Sequence, residues 1–206
     1  MNFRHKFIFF GTPDFAAIIL DKLIAADWIP AAVITQPDKP AGRRQILEQP
    51  PVKKLTEKLG LPAWQPDKLK GNGEIAEKIR ATEPDLVVVA AYGKIIPTDI
   101  LSIPKFGCLN VHPSLLPKYR GPSPIQSAIL NGDAETGVTI MLVDEEMDHG
   151  PILARRELKF PISKQISKFK KYHRLGRGPA SGREKFKSYL WRIVQKIGGT
   201  RRGIAH

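Results

Sequence analysis

The sequence contains a single cysteine, Cys108, and little else that suits thiol or membrane chemistry. One thiol cannot form a disulfide framework or a cysteine-rich metal site, and in the middle of a predicted strand we expect it to be buried and unreactive. No apolar run reaches the roughly 18 residues that span a bilayer, and the first residues lack the cleavage site of a signal peptide. These absences predict a protein of a reducing cytoplasm without a membrane partner. We also expect a monomer.

Acidic residues are scarce in only one part of the chain. The 206 residues carry 33 Lys and Arg against 20 Asp and Glu, a formal net charge of +13. Residues 1–163 hold 20 basic and 19 acidic residues, whereas residues 164–206 hold 13 basic residues and one acid, Glu184. We therefore expect a near-neutral folded domain over residues 1–163 and a basic tail over residues 164–206. The high isoelectric point alone does not identify a nucleic-acid-binding protein.

Short apolar runs alternate with helical patterns throughout the predicted domain, and 42% of the residues are hydrophobic, enough for a packed core. The alternation predicts an α/β fold, a doubly wound and mostly parallel sheet with helices on both faces. In such sheets the ligand lies beyond the carboxyl ends of the strands. The predicted strands are Lys6–Phe10, Ala31–Ile34, Asp85–Ala90, Gly107–His112, Gly137–Val143 and Ile152–Glu157, and the predicted helices are Phe15–Ala26, Val52–Leu59, Glu74–Ala81 and Ile125–Leu130.

The turn after the first predicted strand lacks the glycine pattern of a dinucleotide-binding site. Its sequence is Gly-Thr-Pro-Asp at residues 11–14, and Pro13 removes an amide that would otherwise bind a phosphate. A tight turn between strand and helix is the favoured interpretation, with a phosphate-binding turn as the alternative.

Asn110 and His112 are the strongest candidates for chemistry. Residues two apart in a strand face the same side, so both side chains are expected to project together near the end of a strand. Asn can donate to a carbonyl oxygen or a developing oxyanion, and His can exchange protons near neutral pH. The alternative is that His112 is a hydrogen-bonded polar residue without a catalytic role.

An acidic loop, residues 144–150, lies between the last two predicted strands. One of its carboxylates is a candidate partner that orients His112, although a loop with four acids also fits a solvated turn. His149 lacks a second ligand at metal-like spacing, so we expect no metal site.

Two other segments combine basic or aromatic residues with turn residues. The segment Gln36–Pro51 is predicted to be a long loop, and Arg43 and Arg44 within it suit phosphate contacts; an exposed loop stiffened by proline is the alternative. The segment Tyr119–Pro122 fits either the edge of a substrate site or a plain turn.

Taken together, several stretches of the predicted domain resemble the methionyl-tRNA formyltransferases and, more widely, the folate-dependent formyl transferases. The resemblance covers about residues 5–163. The set formed by Asn110, His112 and Asp148 is general to the wider family. The stretches Phe10–Ala16 and Thr35–Arg43 are typical of the tRNA-directed branch. The stretches are Phe10–Ala16, Thr35–Arg43, Ala91–Pro97, Asn110–Pro117, Tyr119–Gly121, Gly132–Thr139 and Met147–Gly150.

This resemblance implies a Rossmann-like domain that transfers a formyl group from 10-formyltetrahydrofolate to the amino group of initiator methionyl-tRNA, without a metal. Asn110 and a charged His112 would stabilise the oxyanion of the tetrahedral intermediate, while Asp148 would hold His112 and help to move protons. His149 departs from the smaller residue expected beside Asp148, which leaves the local geometry open. A formyl transferase for another amine, such as an amino sugar nucleotide, is an alternative.

The resemblance also implies binding residues. Arg43 and Arg44 would approach the acceptor end of the tRNA. The residues implied to line the folate pocket are Ile95, Ile96, Ser114, Leu115, Leu116 and Pro117.

After Ser163 the sequence no longer resembles the family, whose members continue into a C-terminal β-barrel that helps to bind tRNA. The abrupt change of charge is what a shifted reading frame would produce, and we expect truncation to impair the activity. The alternatives are a basic arm that binds RNA, which would make the chain a non-catalytic relic, and a basic surface helix.

Overall fold

The computed structural model describes residues 5–41 and 45–159 of the chain. The basic tail and the pair Arg43 and Arg44 lie outside the described residues. The helices are α1 (Asp14–Ala25), α2 (Pro51–Leu59), α3 (Gly73–Ala81), α4 (Thr98–Leu101) and α5 (Pro124–Asn131). The strands are β1 (Phe7–Gly11), β2 (Ala32–Ile34), β3 (Lys39–Ala41), β4 (Ile46–Glu48), β5 (Ala63–Trp64), β6 (Leu86–Ala90), β7 (Cys108–His112), β8 (Glu135–Leu142) and β9 (Ile152–Lys159).

Seven of these strands form one sheet in the order β5-β2-β1-β6-β7-β8-β9. The pairings from β5 to β7 are all parallel, whereas β8 and β9 are added antiparallel at one edge. The prediction of a mostly parallel, doubly wound sheet is therefore confirmed.

The two faces of the sheet carry separate hydrophobic layers, because successive side chains of a strand point to opposite sides. Phe7 and Phe9 of β1 belong to a layer that includes residues of α1, α2 and α5. Ile8 and Phe10 belong to a second layer, which includes residues of α3 and α4. All four side chains are almost completely buried, as expected for a central strand covered by helices on both sides.

The segment Gln36–Pro51 is more ordered than its sequence predicts. Strands β3 and β4 pair antiparallel within it as a separate two-stranded sheet, and α2 begins at Pro51. Pro40 lies in β3 opposite Leu47, in a two-stranded ribbon that tolerates the missing amide of proline. The prediction of a loop without secondary structure was wrong because the prolines obscured two strands of only three residues each.

Strands β1, β6 and β7 run parallel, so their carboxyl ends lie at the same edge of the sheet. The segments that follow Gly11, Ala90 and His112 therefore converge at this edge. The loop between β8 and β9 begins near the other end of β7, because β8 runs antiparallel to it, and reaches Asn110 and His112 through Asp148. Within the ranges the structure describes, no helix is both long and apolar enough to cross a membrane.

Candidate active site

Strand β7 places Asn110 and His112 side by side at the carboxyl edge of the sheet. Asn110 pairs with Val89 of β6 on one side and with Met141 of β8 on the other, so its position is set by two neighbouring strands. His112, the last residue of β7, is only 4% exposed. The alternation expected from the sequence is thus realised in a central and well-supported strand.

The carboxylate of Asp148 joins these two side chains. Asn110 Nδ2 donates a hydrogen bond to Asp148 Oδ1 over 3.1 Å, and His112 Nδ1 lies 3.4 Å from Asp148 Oδ2. The backbone N–H of Gly121 donates to the same Oδ2 over 2.8 Å. Of the four acids in the loop, Asp148 is therefore the one that contacts both Asn110 and His112 in the described structure.

Both ring nitrogens of His112 face oxygen acceptors. Nε2 lies 2.9 Å from the backbone carbonyl of Tyr119, which can only accept, so Nε2 carries a proton. Nδ1 faces the carboxylate of Asp148. The doubly protonated imidazolium satisfies both oxygens, whereas a neutral ring would set a lone pair against one of them. A His112 protonated on both nitrogens would thus form an ion pair with Asp148.

The loop that carries Asp148 has a second ion pair within it. His149 Nδ1 lies 2.9 Å from Asp144 Oδ2, and the backbone N–H of Glu146 donates to Asp144 Oδ1 over 3.0 Å. The hydrogen bond from His149 lowers the pKa of Asp144 below its ordinary value. Asp148 itself has φ of +49°, an uncommon backbone conformation for a residue with a side chain. His149 contacts Asp144 and not Asp148. It therefore stabilises the loop and leaves the carboxylate of Asp148 beside His112.

These side chains line a cavity of about 660 Å³. Its wall includes the apolar residues Val89, Ile96 and Val143 and the exposed side chain of Ile95. Met147, which is 62% exposed, lies at the same cavity. A cavity of this size with an apolar wall and a few convergent polar groups has the character of a small-molecule site.

The predicted folate-pocket residues divide into two groups. Ile95 and Ile96 line the cavity, but Ser114, Leu115, Leu116 and Pro117 are not part of its lining. Ser114 and Leu116 are buried, and the hydroxyl of Thr139 links their backbones: it donates to the Ser114 carbonyl and accepts from the Leu116 amide. Contact of this segment with a folate remains a prediction.

Among the cavity residues that were not predicted as site residues, Thr12, Gln36 and Tyr92 form one hydrogen-bonded group. The Thr12 hydroxyl and the Gln36 amide both donate to the carbonyl of Tyr92, over 2.9 and 2.8 Å. All three follow strand ends at the carboxyl edge, and that position was the available signal. The Tyr92 hydroxyl is buried, and burial raises its pKa to about 12.

The sequence predicted an unreactive thiol at Cys108 and no metal site. Cys108 is buried, and the loss of solvent raises the pKa of its thiol to about 12. In residues 5–41 and 45–159, no three His, Cys, Asp or Glu side chains come close enough to hold a metal ion.

The sequence and the fold can be compared with known proteins. Residues 4–175 match the family described as formyl transferase. A methionyl-tRNA formyltransferase from Halorhodospira halophila is 51% identical over 172 residues, which cover 84% of this chain and 54% of that protein. One from Caldicellulosiruptor saccharolyticus is 53% identical over 153 residues, 74% of this chain and 49% of that protein. The chain thus spans about half the length of the curated relatives it matches.

Solved structures share the fold. A glycinamide ribonucleotide transformylase from Geobacillus kaustophilus superposes with a TM-score of 0.65 and 24% identity, over 96% of this chain and 95% of that one. A formyltetrahydrofolate deformylase from Pseudomonas syringae superposes with a TM-score of 0.59 and 21% identity, over 98% of this chain and 64% of that one. On the strength of the sequence match, which covers most of its length, the chain belongs to the formyl transferase family.

Proposed function

We propose that the described domain transfers a formyl group from 10-formyltetrahydrofolate to the amino group of initiator methionyl-tRNA. The observation that carries this proposal is the junction of Asn110, His112 and Asp148 in the wall of a largely apolar cavity. The acceptor is suggested by relatives about 50% identical that are named methionyl-tRNA formyltransferase.

The cavity suits a folate in size and in its combination of apolar and polar lining residues. A volume of about 660 Å³ lies within the usual range for sites that hold molecules of drug size. Ile95, with 81% of its surface exposed, offers an apolar surface to a flat ring system at the cavity wall. Asn110 and His112 line the same cavity, where they would meet the formyl group.

The residues can stabilise the charge that develops when an amine attacks the formyl carbon. Asn110 Nδ2 carries two hydrogens and donates one of them in the hydrogen bond to Asp148. The second remains available to donate a hydrogen bond to the formyl oxygen. Both ring nitrogens of His112 face protein oxygens, so neither N–H is left for the formyl oxygen. His112 would instead contribute a buried positive charge beside the developing oxyanion. Asp148 balances that charge and can accept a proton from the attacking amine, either directly or through water. The proton is then passed on to N10 of the folate as the bond between N10 and the formyl carbon breaks.

The tRNA would approach from the side of the β3–β4 hairpin. Gln36, which precedes β3, contacts the cavity wall through its hydrogen bond to Tyr92, so the hairpin and the cavity are connected. Arg43 and Arg44 lie between the two strands in sequence, and we propose that they contact phosphates of the acceptor end.

The direct test is an assay of the chain with 10-formyltetrahydrofolate and methionyl-tRNA that measures formylmethionyl ester. We expect transfer to methionyl-tRNA, and none to uncharged tRNA, free methionine or an amino sugar nucleotide. A chimera that joins residues 1–163 to the downstream half of the Halorhodospira halophila relative serves as a second enzyme, because this chain spans only part of that protein.

Two outcomes would contradict the proposal. Transfer to an amino sugar nucleotide in preference to methionyl-tRNA would indicate a formyl transferase for another amine. Binding of RNA that weakens steeply with salt, without turnover by the chain or the chimera and without folate affinity, would indicate a non-catalytic RNA-binding protein.

A further inference from the structure

We propose that the turn Lys118–Gly121 is a positioning element that holds His112 and Asp148 together through its backbone. This inference rests on the proposed function for its catalytic meaning. Two groups of the turn carry it: the carbonyl of Tyr119 accepts the Nε2 proton of His112 over 2.9 Å, and the amide of Gly121 donates to Asp148 Oδ2 over 2.8 Å. One short segment thus contacts both members of the charged pair.

The backbone of the turn adopts the conformations that this double contact requires. Tyr119 has φ of +60° and Gly121 has φ of +98°, so the chain reverses sharply between the two contacts. A residue with a side chain at positive φ is uncommon and persists when its surroundings hold it there. The carbonyl of Tyr119 and the amide of Gly121 can therefore both point towards β7 and the loop of Asp148.

Side chains anchor the turn to the end of helix α5. The hydroxyl of Tyr119 accepts a hydrogen bond from Asn131 Nδ2 over 2.8 Å, and Asn131 is the last residue of α5. Lys118 Nζ lies 2.9 Å from Asp133 Oδ2, and this contact raises the pKa of Lys118 above its ordinary value. Lys118 Nζ also lies 5.1 Å from the centre of the Tyr119 ring. The hydroxyl and ring of Tyr119 thus contact Asn131 and Lys118, and these contacts restrict the movement of the turn.

Through these contacts, the side chains of Tyr119 and Asn131, which lie outside the cavity lining, can affect the positions of His112 and Asp148. If the Tyr119 ring loses its hold, its carbonyl can rotate away from His112 Nε2, and the imidazolium loses one of its two acceptors. If the Gly121 amide moves, Asp148 loses a donor and its distance from His112 is less well defined. Tyr119, Asn131 and Gly121 are therefore positioning residues for formyl transfer.

The first test observes His112 directly and needs no turnover. Nitrogen-resolved NMR of the full chain detects the ring protons of His112, assigned by their loss in His112→Asn. We expect the Nε2 proton to exchange slowly with water in the unaltered chain, and about tenfold faster in Gly121→Ala and in Tyr119→Phe because the hydrogen bond opens more often. Gly60→Ala, at φ of +66° in the cap of α2, and Asn72→Ala, at the cap of α3, are controls with comparable local damage.

The second test measures formyl transfer. In Asn131→Ala and Tyr119→Phe we expect kcat to fall about tenfold with little change in KM for either substrate, since positioning affects the reacting groups more than binding. The Nε2 proton staying as protected in Gly121→Ala and Tyr119→Phe as in Gly60→Ala would overturn the inference. Absence of turnover in every form of the chain would refute the proposed function instead, while the NMR measurement would still decide the role of the turn.

Discussion

At the scale of single residues, the polar groups of the site form one connected set. The carboxylate of Asp148 accepts from Asn110 and Gly121 and faces His112, and His112 in turn donates to Tyr119. A buried polar group left without its partner costs about 1–3 kcal/mol, so the positions of these groups depend on one another. The site should therefore respond sharply to changes that keep the shape of a side chain and alter its hydrogen bonding.

Asp148→Asn is such a change. The amide has nearly the shape of the carboxylate but leaves the positive charge of His112 unbalanced and cannot accept a proton. We expect kcat for formyl transfer to fall by about 10² to 10⁴, the usual contribution of a positioned acid or base. Steady-state kinetics of the variant and of Asp67→Asn, an exposed carboxylate outside the cavity lining, measure the effect. Equal rates in the two variants would remove Asp148 from the mechanism.

Ile95 provides a separate test of where the folate lies. Its side chain is 81% exposed at the cavity wall, and we expect a bound folate to cover it. Ile95→Ala should then raise KM for 10-formyltetrahydrofolate by about tenfold, since loss of buried apolar surface weakens binding, with little effect on kcat. Ile29→Ala removes a similarly exposed isoleucine outside the cavity lining and serves as the control. An unchanged KM in Ile95→Ala would place the folate elsewhere.

Residue types and spacing were enough to predict that Asn110 and His112 face the same side, because a strand alternates with period two. They were not enough to distinguish Asp148 from its acidic neighbours. That choice depends on a loop in which Asp148 has a positive φ and Asp144 is held by His149. The backbone groups of Tyr119 and Gly121 carry no side-chain signal, so their contacts could not be predicted.

At the scale of secondary structure elements, the β3–β4 hairpin is tied to the domain by the carboxylate of Asp38. Lys53 of α2 lies 3.0 Å from Asp38 Oδ2, and Gln65 Nε2 donates to Asp38 Oδ1 over 2.7 Å. The same Gln65 amide donates to the carbonyl of Gln36 over 2.9 Å. The sequence predicted the helix α2 but not this anchoring, because Asp38, Lys53 and Gln65 are far apart in the chain.

The Asp38 contacts predict how stability depends on pH. The hydrogen bond from Gln65, and then that from Lys53, lowers the pKa of Asp38 below its ordinary value of 3.8. A carboxyl with a lowered pKa in the folded state stabilises the protein above its ordinary pKa, and this contribution disappears as the pH falls through the folded value. Urea unfolding should show Asp38→Asn to be less stable than the unaltered chain near neutral pH.

At a pH well below 3.8 that difference should vanish, since both chains then carry a neutral side chain. Asp21→Asn, which changes an exposed carboxylate of α1, should show no such dependence. A constant difference between Asp38→Asn and the unaltered chain over this range would refute the role given to Asp38.

The antiparallel edge of the sheet depends on a close approach at Gly137. A Cβ at this position would lie 2.3 Å from the carbonyl oxygen of Arg156 and 2.4 Å from Leu115 Cδ2. Because the carbonyl belongs to β9, it can move only if β8 and β9 separate. We expect Gly137→Ala to lower the free energy of unfolding by about 1–3 kcal/mol.

Gly73→Ala is the matched control, since a Cβ at the start of α3 would contact nothing within 4 Å. This change should be neutral or stabilising by about 0.4–1 kcal/mol. Denaturant unfolding compares the two variants. Equal stability of the two variants would show that β8 and β9 can move apart without a loss of stability. The close packing at Gly137 would then not contribute to the free energy of unfolding.

At the scale of the whole molecule, the alternation of apolar strands and helices predicted the doubly wound sheet, since that pattern reflects burial on both faces. It did not reveal β3 and β4, which lie in a segment rich in proline, or β5, which has only two residues. The net charge of +13 was informative only after division at Ser163, because the near-neutral part contains the site. The family match extends from residue 4 to residue 175, and the domain boundary at Ser163 remains a prediction.

The central claim is that formyl transfer takes place where Asn110, His112 and Asp148 meet. The most direct test is a crystal structure of the chain with a stable analogue of 10-formyltetrahydrofolate. We predict that the formyl oxygen lies within hydrogen-bond distance, about 3 Å, of Asn110 Nδ2 and beside His112, with the ring system against Ile95. An analogue bound outside this cavity, or bound within it with its formyl group directed away from Asn110, would contradict the account.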